Sequence, residues 1–138
     1  MDEIRQLFQE YQQSLGFELD FQNFQQELDN LPGAYAPPRG RILVEPGGCV
    51  ALRPLDETTC EMKRLYVRPE MRGTGLGRRL AEQIIEEARL IGYQRMVLDT
   101  LATMESALTL YRSLGFRETE PYCYNPFPNA VFMELHLL

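Results

Sequence analysis

The feature that most constrains the fold of this chain is a strand-like run, a glycine-rich turn and a long helix, which follow one another between residues 61 and 92. After the turn, apolar residues recur at every fourth position, at Leu76, Leu80, Ile84 and Ala88. This spacing places them on one face of an amphipathic helix, which must pack against other apolar surface. Gly92 is a typical helix terminator.

The other periodic segments place this unit in a mixed sheet. Helical spacing predicts helices over residues 3–15, 21–30 and 107–114. Apolar and alternating runs predict strands over residues 41–45, 49–53, 61–67, 95–100, 116–119 and 131–137. Two helices, antiparallel strands and then strand-helix-strand-helix-strand indicate a mixed α/β sheet with helices on both faces. The 138 residues fit one domain.

The net charge of the chain and the distribution of its charged residues limit the classes of ligand that it can bind. The formal net charge is −6, which argues against nucleic-acid binding, because that needs a basic face. The only lysine, Lys63, is nevertheless followed by a cluster of arginines at positions 64, 68, 72, 78 and 79. A local basic cluster on an acidic protein favours a small anionic ligand, although a solvated charged face is the simpler alternative.

Several classes of protein are disfavoured by what the sequence lacks. No apolar run has membrane-spanning length, and residues 1–5 show no basic region followed by an apolar stretch, so we expect no membrane partner and no secretory signal. The three cysteines, Cys49, Cys60 and Cys123, are widely spaced in the sequence. The single histidine, His136, is the only further residue of the kinds that commonly bind zinc with cysteine. We therefore expect reduced thiols in a cytoplasmic protein, with no metal site and no disulfide framework. Cys60 and Cys123 are expected to be small core residues and not nucleophiles.

The glycine-rich segment Arg72-Gly73-Thr74-Gly75-Leu76-Gly77 is the strongest candidate for a binding site. Glycine permits unusual dihedral angles and close approach of a ligand, and the first amides of a helix lack internal partners. The helix dipole favours an anion there. Arg78 and Arg79 occupy the first turns, where acidic residues are preferred, so a bound pyrophosphate would compensate their charge.

Two other glycine motifs do not match this segment. A dinucleotide-binding fingerprint needs an acidic residue on the following strand at a set distance, and none stands there. A phosphate loop of the nucleotide-hydrolysing type needs Gly-Lys-Ser/Thr, which is also missing. A tight strand-to-helix connection without a ligand remains the simple alternative.

Two motifs together resemble the GNAT superfamily of N-acetyltransferases. Arg72-x-x-Gly75-x-Gly77, after Leu65-Tyr66-Val67-Arg68-Pro69-Glu70, is similar to its acyl-CoA motif. Ala107-Leu108-Thr109-Leu110-Tyr111-Arg112-Ser113-Leu114-Gly115-Phe116 is similar to its second hallmark, and the order and spacing fit. The resemblance implies a twisted, mostly antiparallel sheet with a parallel, splayed strand pair. It implies an acetyl-CoA-binding core over residues 40–138 and a helical acceptor-side segment over residues 1–39.

The resemblance also implies roles for individual residues. Backbone amides of residues 72–77, with Arg78 nearby, would hold the pyrophosphate of acetyl-CoA, the acyl donor. Leu65, Tyr66 and Val67 would pair with its pantetheine arm, and an amide among them would polarise the thioester. Tyr111 would protonate the departing thiolate. A tyrosine in a helical stripe is otherwise usually a core residue.

The reaction also needs a base, because a lysine-like amine has a pKa of about 10.4 and arrives charged. Glu61 is the best-placed carboxylate, and Lys63 shares its face of the strand by alternation. A surface ion pair between Glu61 and Lys63 is an equal alternative. In a third alternative, Lys63 or Arg64 binds an acidic group of the acceptor.

Departures from the family pattern leave some points open. Met104 stands where many members have asparagine, so a contact to the coenzyme arm is lost or replaced, by Glu105 or Ser106 for example. The family usually has a strand before its first helix, whereas here the helix comes first, which leaves the N-terminal sheet order and a homodimer open. We expect the acceptor to be a small-molecule or peptide amine, held by aromatic residues of the N-terminal helices that would otherwise be core residues: Phe8, Tyr11, Phe17, Phe21 and Phe24. A non-catalytic acyl-CoA-binding or sensing module is the alternative function.

Overall fold

A computed structural model of the chain describes residues 2–15 and 24–138. Its α-helices are α1 (Asp2–Leu15), α2 (Phe24–Asp29), α3 (Leu76–Ile91) and α4 (Glu105–Ser113). Its strands are β1 (Arg41–Glu45), β2 (Gly48–Pro54), β3 (Thr59–Val67), β4 (Arg95–Leu101), β5 (Arg117–Glu118) and β6 (Ala130–His136). Short 3-10 helices lie at Gly33–Tyr35 and Pro69–Met71.

The strands form one six-stranded sheet in the order β1-β2-β3-β4-β6-β5. Every neighbouring pair is antiparallel except β3 and β4, which run parallel. A parallel pair needs a crossover connection, and α3 supplies it. The predicted mixed, mostly antiparallel sheet with one parallel pair is confirmed.

Helices cover both faces of this sheet, as predicted. Helices α3 and α4 pack on one face, where Leu80 and Ile84 of α3 meet Val50, Leu52 and strand residues further along the sheet. Helices α1 and α2 cover the other face at β2, in a second cluster that includes Leu7, Phe8, Phe24, Cys49 and Ala51. Each fully buried leucine or phenylalanine contributes about 1.5–3 kcal/mol.

Helix α3 begins and ends at glycines in the left-handed region. Gly75, immediately before the helix, has φ 85°, and Gly92, immediately after it, has φ 108°. The Gly92 amide donates to the carbonyls of Ala88 and Arg89 and so ends the helix. A side chain at either glycine would be strained, because L-residues with a Cβ rarely adopt these angles.

A β-bulge interrupts the pairing of β2 with β3. Cys49 lies opposite Tyr66 and Ala51 lies opposite Lys63, so that Arg64 and Leu65 together stand opposite Val50. Arg64 has φ 61°, the one positive value among the non-glycine residues that the structure describes. A bulge of this kind bends its strand and increases the local twist.

The element bounds differ from the prediction in places. The strand predicted over residues 116–119 is only two residues long, Arg117–Glu118, and pairs with β6. The helix predicted over residues 21–30 is found as α2 from Phe24 on, whereas residues 21–23 lie outside the described residues. In the part of the chain that is described, β1 forms one edge of the sheet.

Two further findings concern the sequence-based exclusions. No helix in residues 2–15 and 24–138 has the length and apolar character that a membrane crossing requires. All three cysteines are free; Cys49 and Cys60 are buried, as expected of small core residues. Cys123, for which a core position was also expected, is exposed because it lies in the connection between β5 and β6.

Candidate active site

The candidate site is a gap between the two parallel strands. β3 and β4 pair only over Thr59–Glu61 and Arg95–Val97. Beyond these residues β3 remains paired with β2 as far as Val67, while β4 remains paired with β6 as far as Leu101. The bulge bends β3 at this point, so the strands part. Residues lining the gap come from α1, β3, β4, α4 and the β5–β6 connection: Tyr11, Met62, Lys63, Arg64, Leu65, Leu98, Asp99, Thr100, Tyr111, Asn125 and Phe127.

A second hollow adjoins the gap at the carboxyl end of β4. Leu15, Leu101 and Met104 line both spaces. The second hollow is bounded at its far end by Arg72 and by Ser106 at the start of α4. A long, narrow ligand can therefore extend from the glycine-rich turn to the interior of the gap.

The glycine turn, residues 72–77, is exposed at its first four positions. Gly73 has φ 81°, and a Cβ built on it would meet no other atom within 4 Å. Thr74 folds back, with its hydroxyl donating to the Met71 carbonyl at 2.6 Å. The next residues begin α3 with no side-chain cap and no acidic residue in the first turn. Helical amides at this position lack intrahelical partners and can bind an anion.

The arginines around this turn have local partners. The Arg72 guanidinium donates to the Val67 carbonyl at 3.2 Å, which ties the turn to the end of β3. Arg78 bonds the hydroxyl of Ser113 at the end of α4. Arg79 lies 3.8 Å from Glu45 and is about half exposed. These guanidinium groups surround the helix N-terminus with positive charge, as the sequence predicts for an anion site.

The three predicted contacts on β3 fall in different places. Leu65 lines the gap. Val67 lies beside the start of α3, where its methyl group would be 3.6 Å from a Cβ on Gly77. The Tyr66 side chain instead packs in the cluster under α1, and its hydroxyl donates to Glu10 at 3.3 Å. Only backbone groups of Tyr66 are therefore placed to meet a ligand in the gap.

Tyr111 lies on α4 and closes the gap from the α3 and α4 side of the sheet. Its ring packs against Phe116 with centroids 5.7 Å apart. Burial raises the pKa of its hydroxyl, and the nearby Tyr11 and Asp99 raise it further. The hydroxyl is thus protonated at neutral pH. Tyr111 therefore packs in the core and also lines the gap.

Glu61 is buried beside the gap, with 1% of its surface exposed. Arg53, opposite it on β2, donates from Nε to Oε1 at 2.8 Å, and the Tyr122 hydroxyl donates to Oε2 at 2.6 Å. Burial and the Glu61 charge raise the pKa of Tyr122. Both carboxylate oxygens therefore have partners within the protein, and the alternative that places Glu61 at the surface is wrong.

Lys63 and Arg64 line the gap next to one another, and both are buried. Burial lowers the pKa of Lys63, and the neighbouring Arg64 charge lowers it further, whereas Glu61 opposes the shift. Arg64 forms a two-point ion pair with Glu27 of α2, in which both N···O distances are 2.9 Å. The Tyr35 hydroxyl also donates to Glu27, at 2.9 Å. This buried pair ties α2 to the bulge.

Sequence analysis missed Asp99 and Asn125, which also line the gap. Asp99 follows Val97 and Leu98 on β4, and Asn125 donates to its Oδ2 at 3.1 Å. A carboxylate inside an otherwise apolar strand is costly to bury unless it has a function or a partner. The position of Asp99 among apolar residues was therefore an indication in the sequence that it belongs to a site. Nothing in the proline-rich connection pointed to Asn125 in particular.

Asp99, Glu61 and Cys123 form a compact cluster, with ligand-type atoms all within 4.8 Å of one another. Cys123 Sγ lies 3.7 Å from Asp99 Oδ2. Burial raises the pKa of the Cys123 thiol to about 12, and the charges of Asp99 and Glu61 add to the shift. With Arg53, Tyr122 and Asn125 as donors, these groups form a hydrogen-bonded polar cluster.

The predicted aromatic residues of the acceptor side divide into three groups. Tyr11 lines the gap. Phe8 and Phe24 lie in the core beneath α1 and α2. Phe17 and Phe21 lie outside the described residues. Met104, in place of the family's asparagine, lines the gap, and its sulfur accepts a weak bond from the Thr100 hydroxyl at 3.5 Å.

Comparisons with known proteins show the family to which this chain belongs. The model of the acetyltransferase (GNAT) family matches residues 1–116. An N-acetyltransferase from Schizosaccharomyces pombe, itself uncharacterised, is 49% identical over 99% of this chain and 88% of its own length.

Solved structures show the same fold. A GNAT-family acetyltransferase from Staphylococcus aureus superposes with a TM-score of 0.80 over 99% of this chain and 94% of its own, at 19% identity, which speaks for the fold alone. An acetyltransferase from Salmonella typhimurium, solved with its cofactor acetyl-CoA, is 29% identical over 66% of this chain and 58% of its own, with a TM-score of 0.57. From the family match and the near full-length relative, we conclude that this chain belongs to the GNAT family of acetyltransferases.

Proposed function

We propose that this protein transfers the acetyl group of acetyl-CoA directly to a primary amine in the gap between β3 and β4. The observation that carries this proposal is a pair of adjoining hollows, one lined by Arg72 of the glycine turn and the other by Tyr111, Lys63 and Asp99. The Salmonella acetyltransferase, solved with acetyl-CoA, supports this choice of donor.

The residues of the donor side fit a coenzyme with a diphosphate. The amides of residues 72–77 and the uncapped start of α3 would hold the phosphates, helped by Arg72 and Arg78. The open space around Gly73 supports close approach of the ligand to the backbone. On β3, the backbone of Leu65, Tyr66 and Val67 has no strand partner on the side of β4, among the described residues, and can pair with the pantetheine arm.

Bound acetyl-CoA would supply a thioester carbonyl as the electrophile. A backbone amide of β3 between Leu65 and Val67 would polarise the carbonyl oxygen. Tyr111, which is protonated at neutral pH and lines the gap, would give its proton to the departing sulfur. Lys63 would contact the acceptor from the same strand.

Proton removal from the amine is assigned to the carboxylates beside the gap. Glu61 remains the base predicted from the sequence. Because both of its oxygens have partners, it would act through Tyr122 or a water molecule. An unchanged pH–rate profile in Glu61→Gln would remove Glu61 from the mechanism.

The decisive experiment is an acceptor panel with detection of the released thiol. The panel holds methylamine, glycine, spermidine, a peptide with a free α-amine and a peptide with an internal lysine. Transfer to at least one amine is expected, with the acetylated product identified by mass spectrometry. The alternative, a non-catalytic acyl-CoA-binding module, would bind acetyl-CoA in calorimetry and release no thiol. Preference for ATP over acetyl-CoA in calorimetry would refute both.

A further inference from the structure

On the basis of the proposed function, we infer that Asp99 is the carboxylate that receives the acceptor's ammonium group and takes its first proton. Glu61, the base predicted from the sequence, then has a positioning role and does not itself contact the amine. Asp99 lies on β4 two residues after Val97, the last residue that pairs with β3. It is therefore at the point where the strands part, and it lines the gap.

The contacts of Asp99 orient its carboxylate. The Asn125 amide donates to Oδ2 at 3.1 Å, and the Cys123 thiol lies 3.7 Å from the same oxygen. Asn125 is itself held, because its own Oδ1 accepts the Phe127 amide at 3.0 Å. Among the described residues both of these donors bind Oδ2, so we assign Oδ1 as the oxygen that receives an incoming ammonium.

Glu61 differs from Asp99 in these respects. Arg53 bonds one of its oxygens and Tyr122 bonds the other, and its side chain is only 2% exposed. Little of this carboxylate is therefore accessible to an incoming ammonium. Asp99 is partly exposed and lines the gap, so its carboxylate can be reached.

Charged and titratable groups face Asp99 from every element around the gap. The Asp99 charge acts on Tyr11 of α1, Lys63 of β3, Tyr111 of α4, and Tyr122 and Cys123 of the β5–β6 connection. The carboxylate of Glu61, on β3, also lies within 4.8 Å of that of Asp99. Burial is the main cause of the raised pKa of Tyr111, and the Asp99 charge adds to it. The proposed base and the proposed acid line the same gap.

The transfer balances with these two residues. One proton of the ammonium passes to Asp99 and from there to solvent. The free amine forms a bond from nitrogen to the acetyl carbon while the bond from that carbon to sulfur breaks. Tyr111 protonates the sulfur, and a second proton lost from the nitrogen restores the tyrosine hydroxyl through solvent. The products are the amide, the free thiol and one proton.

The test compares an ionised nucleophile with a neutral one. Wild type, Asp99→Asn and Glu61→Gln are each assayed by thiol release with the best primary amine of the panel and with hydroxylamine, which is neutral at pH 7 and needs no base. For Asp99→Asn we expect kcat/KM for the amine to fall by about 10²–10⁴ and that for hydroxylamine by less than about 10. The amine rate of this variant should rise with pH towards the pKa of the amine, which is about 10.4 for a lysine-like amine and about 8 for an α-amine.

Controls separate this role from a structural one. Asp29→Asn makes the same chemical change at an exposed position of α2 and should leave both rates unchanged. Thermal unfolding and acetyl-CoA calorimetry show whether each variant is folded, and Asp99→Ser replaces Asp99→Asn if the latter is not.

Each remaining outcome counts against the assignment. Equal losses with both nucleophiles, or an amine-selective loss in Glu61→Gln that exceeds that of the Asp99 variant, would overturn the role of Asp99 and leave the acetyltransferase function standing. A wild-type protein that acetylates no amine would overturn the proposed function, and the role of Asp99 with it.

Discussion

The two ends of the gap are built in different ways. In the proposed function, the donor end is one contiguous segment, residues 72–77, whose binding groups would be backbone amides at the start of α3. The acceptor end brings together side chains from separate elements, with Tyr11 from α1, Lys63 from β3, Asp99 from β4 and Asn125 from the β5–β6 connection. One end is thus local in sequence and the other is assembled by the fold.

This difference has a chemical consequence. Backbone amides bind a phosphate whatever the neighbouring side chains are, so a short glycine pattern suffices to recognise the donor end. Recognition of an acceptor depends on side chains, and those of the acceptor end lie in segments that neither family motif covers. Substrate identity therefore resides in the part of the molecule that is hardest to recognise from sequence.

The largest expected effect is at Tyr111, where the two ends meet. Tyr111→Phe removes the proton donor and leaves the ring packed against Phe116. We expect thiol release to slow by about 10²–10⁴ while acetyl-CoA affinity in calorimetry stays within a few-fold. Wild-type turnover in this variant would leave Tyr111 as a core residue only.

The next effect tests how the acceptor end is held in place. In Glu27→Gln, Arg64 stays buried without a full counter-charge, and we expect a loss of about 3 kcal/mol in the free energy of unfolding. Glu10→Gln is the matched control, because its partner Arg68 is about a quarter exposed, and it should lose less than about 1 kcal/mol. Urea titration measures both, and equal losses would contradict a special role for the Arg64 pair.

A smaller effect is expected at the two glycines that flank α3, where it distinguishes backbone strain from loss of coenzyme binding. Gly75 and Gly92 have φ 85° and φ 108° at the two ends of α3, so alanine at either position is strained by about 1–2 kcal/mol. Both variants should unfold more easily. Only Gly75→Ala should also bind acetyl-CoA more weakly, by about 10-fold, in calorimetry. Equal affinity in the two variants would place the coenzyme elsewhere.

The smallest effect concerns the thiol at the acceptor end. The pKa of Cys123 is raised to about 12, so this exposed thiol should react slowly with iodoacetamide at pH 8. Asp99→Asn removes one of the negative charges that raise it, and alkylation should become roughly 10-fold faster, which corresponds to about one pKa unit. Mass spectrometry of peptides follows the reaction, with the buried Cys49 as the unreactive control. No change in rate would mean that Asp99 is screened from the thiol.

The elements that could be predicted are those with a strong local pattern. The stripe from Leu76 to Ala88 and the glycine after it predicted α3, whose observed bounds are Leu76–Ile91. The order of strands and helices predicted the mixed sheet. The two-residue β5 was overestimated, because its length is limited by its pairing with β6 rather than by its own residues.

Side-chain neighbours across the sheet could not be predicted in the same way. The sequence placed Glu61 and Lys63 on one face, yet the partners of Glu61 proved to be Arg53 and Tyr122, which are 8 and 61 positions away. The pair between Glu27 and Arg64 spans 37 positions. Such contacts depend on strand register and on the bulge, neither of which has a local pattern here.

By itself the sequence determined the family, the order of most elements and the turn that suits a phosphate, because helical periodicity and glycine dihedrals are properties of neighbouring residues. The tertiary structure decided where β3 leaves β4, which carboxylate lines the opening and which is enclosed by donors. It decided these points because they depend on contacts between residues far apart in the chain, which form only when the sheet is assembled.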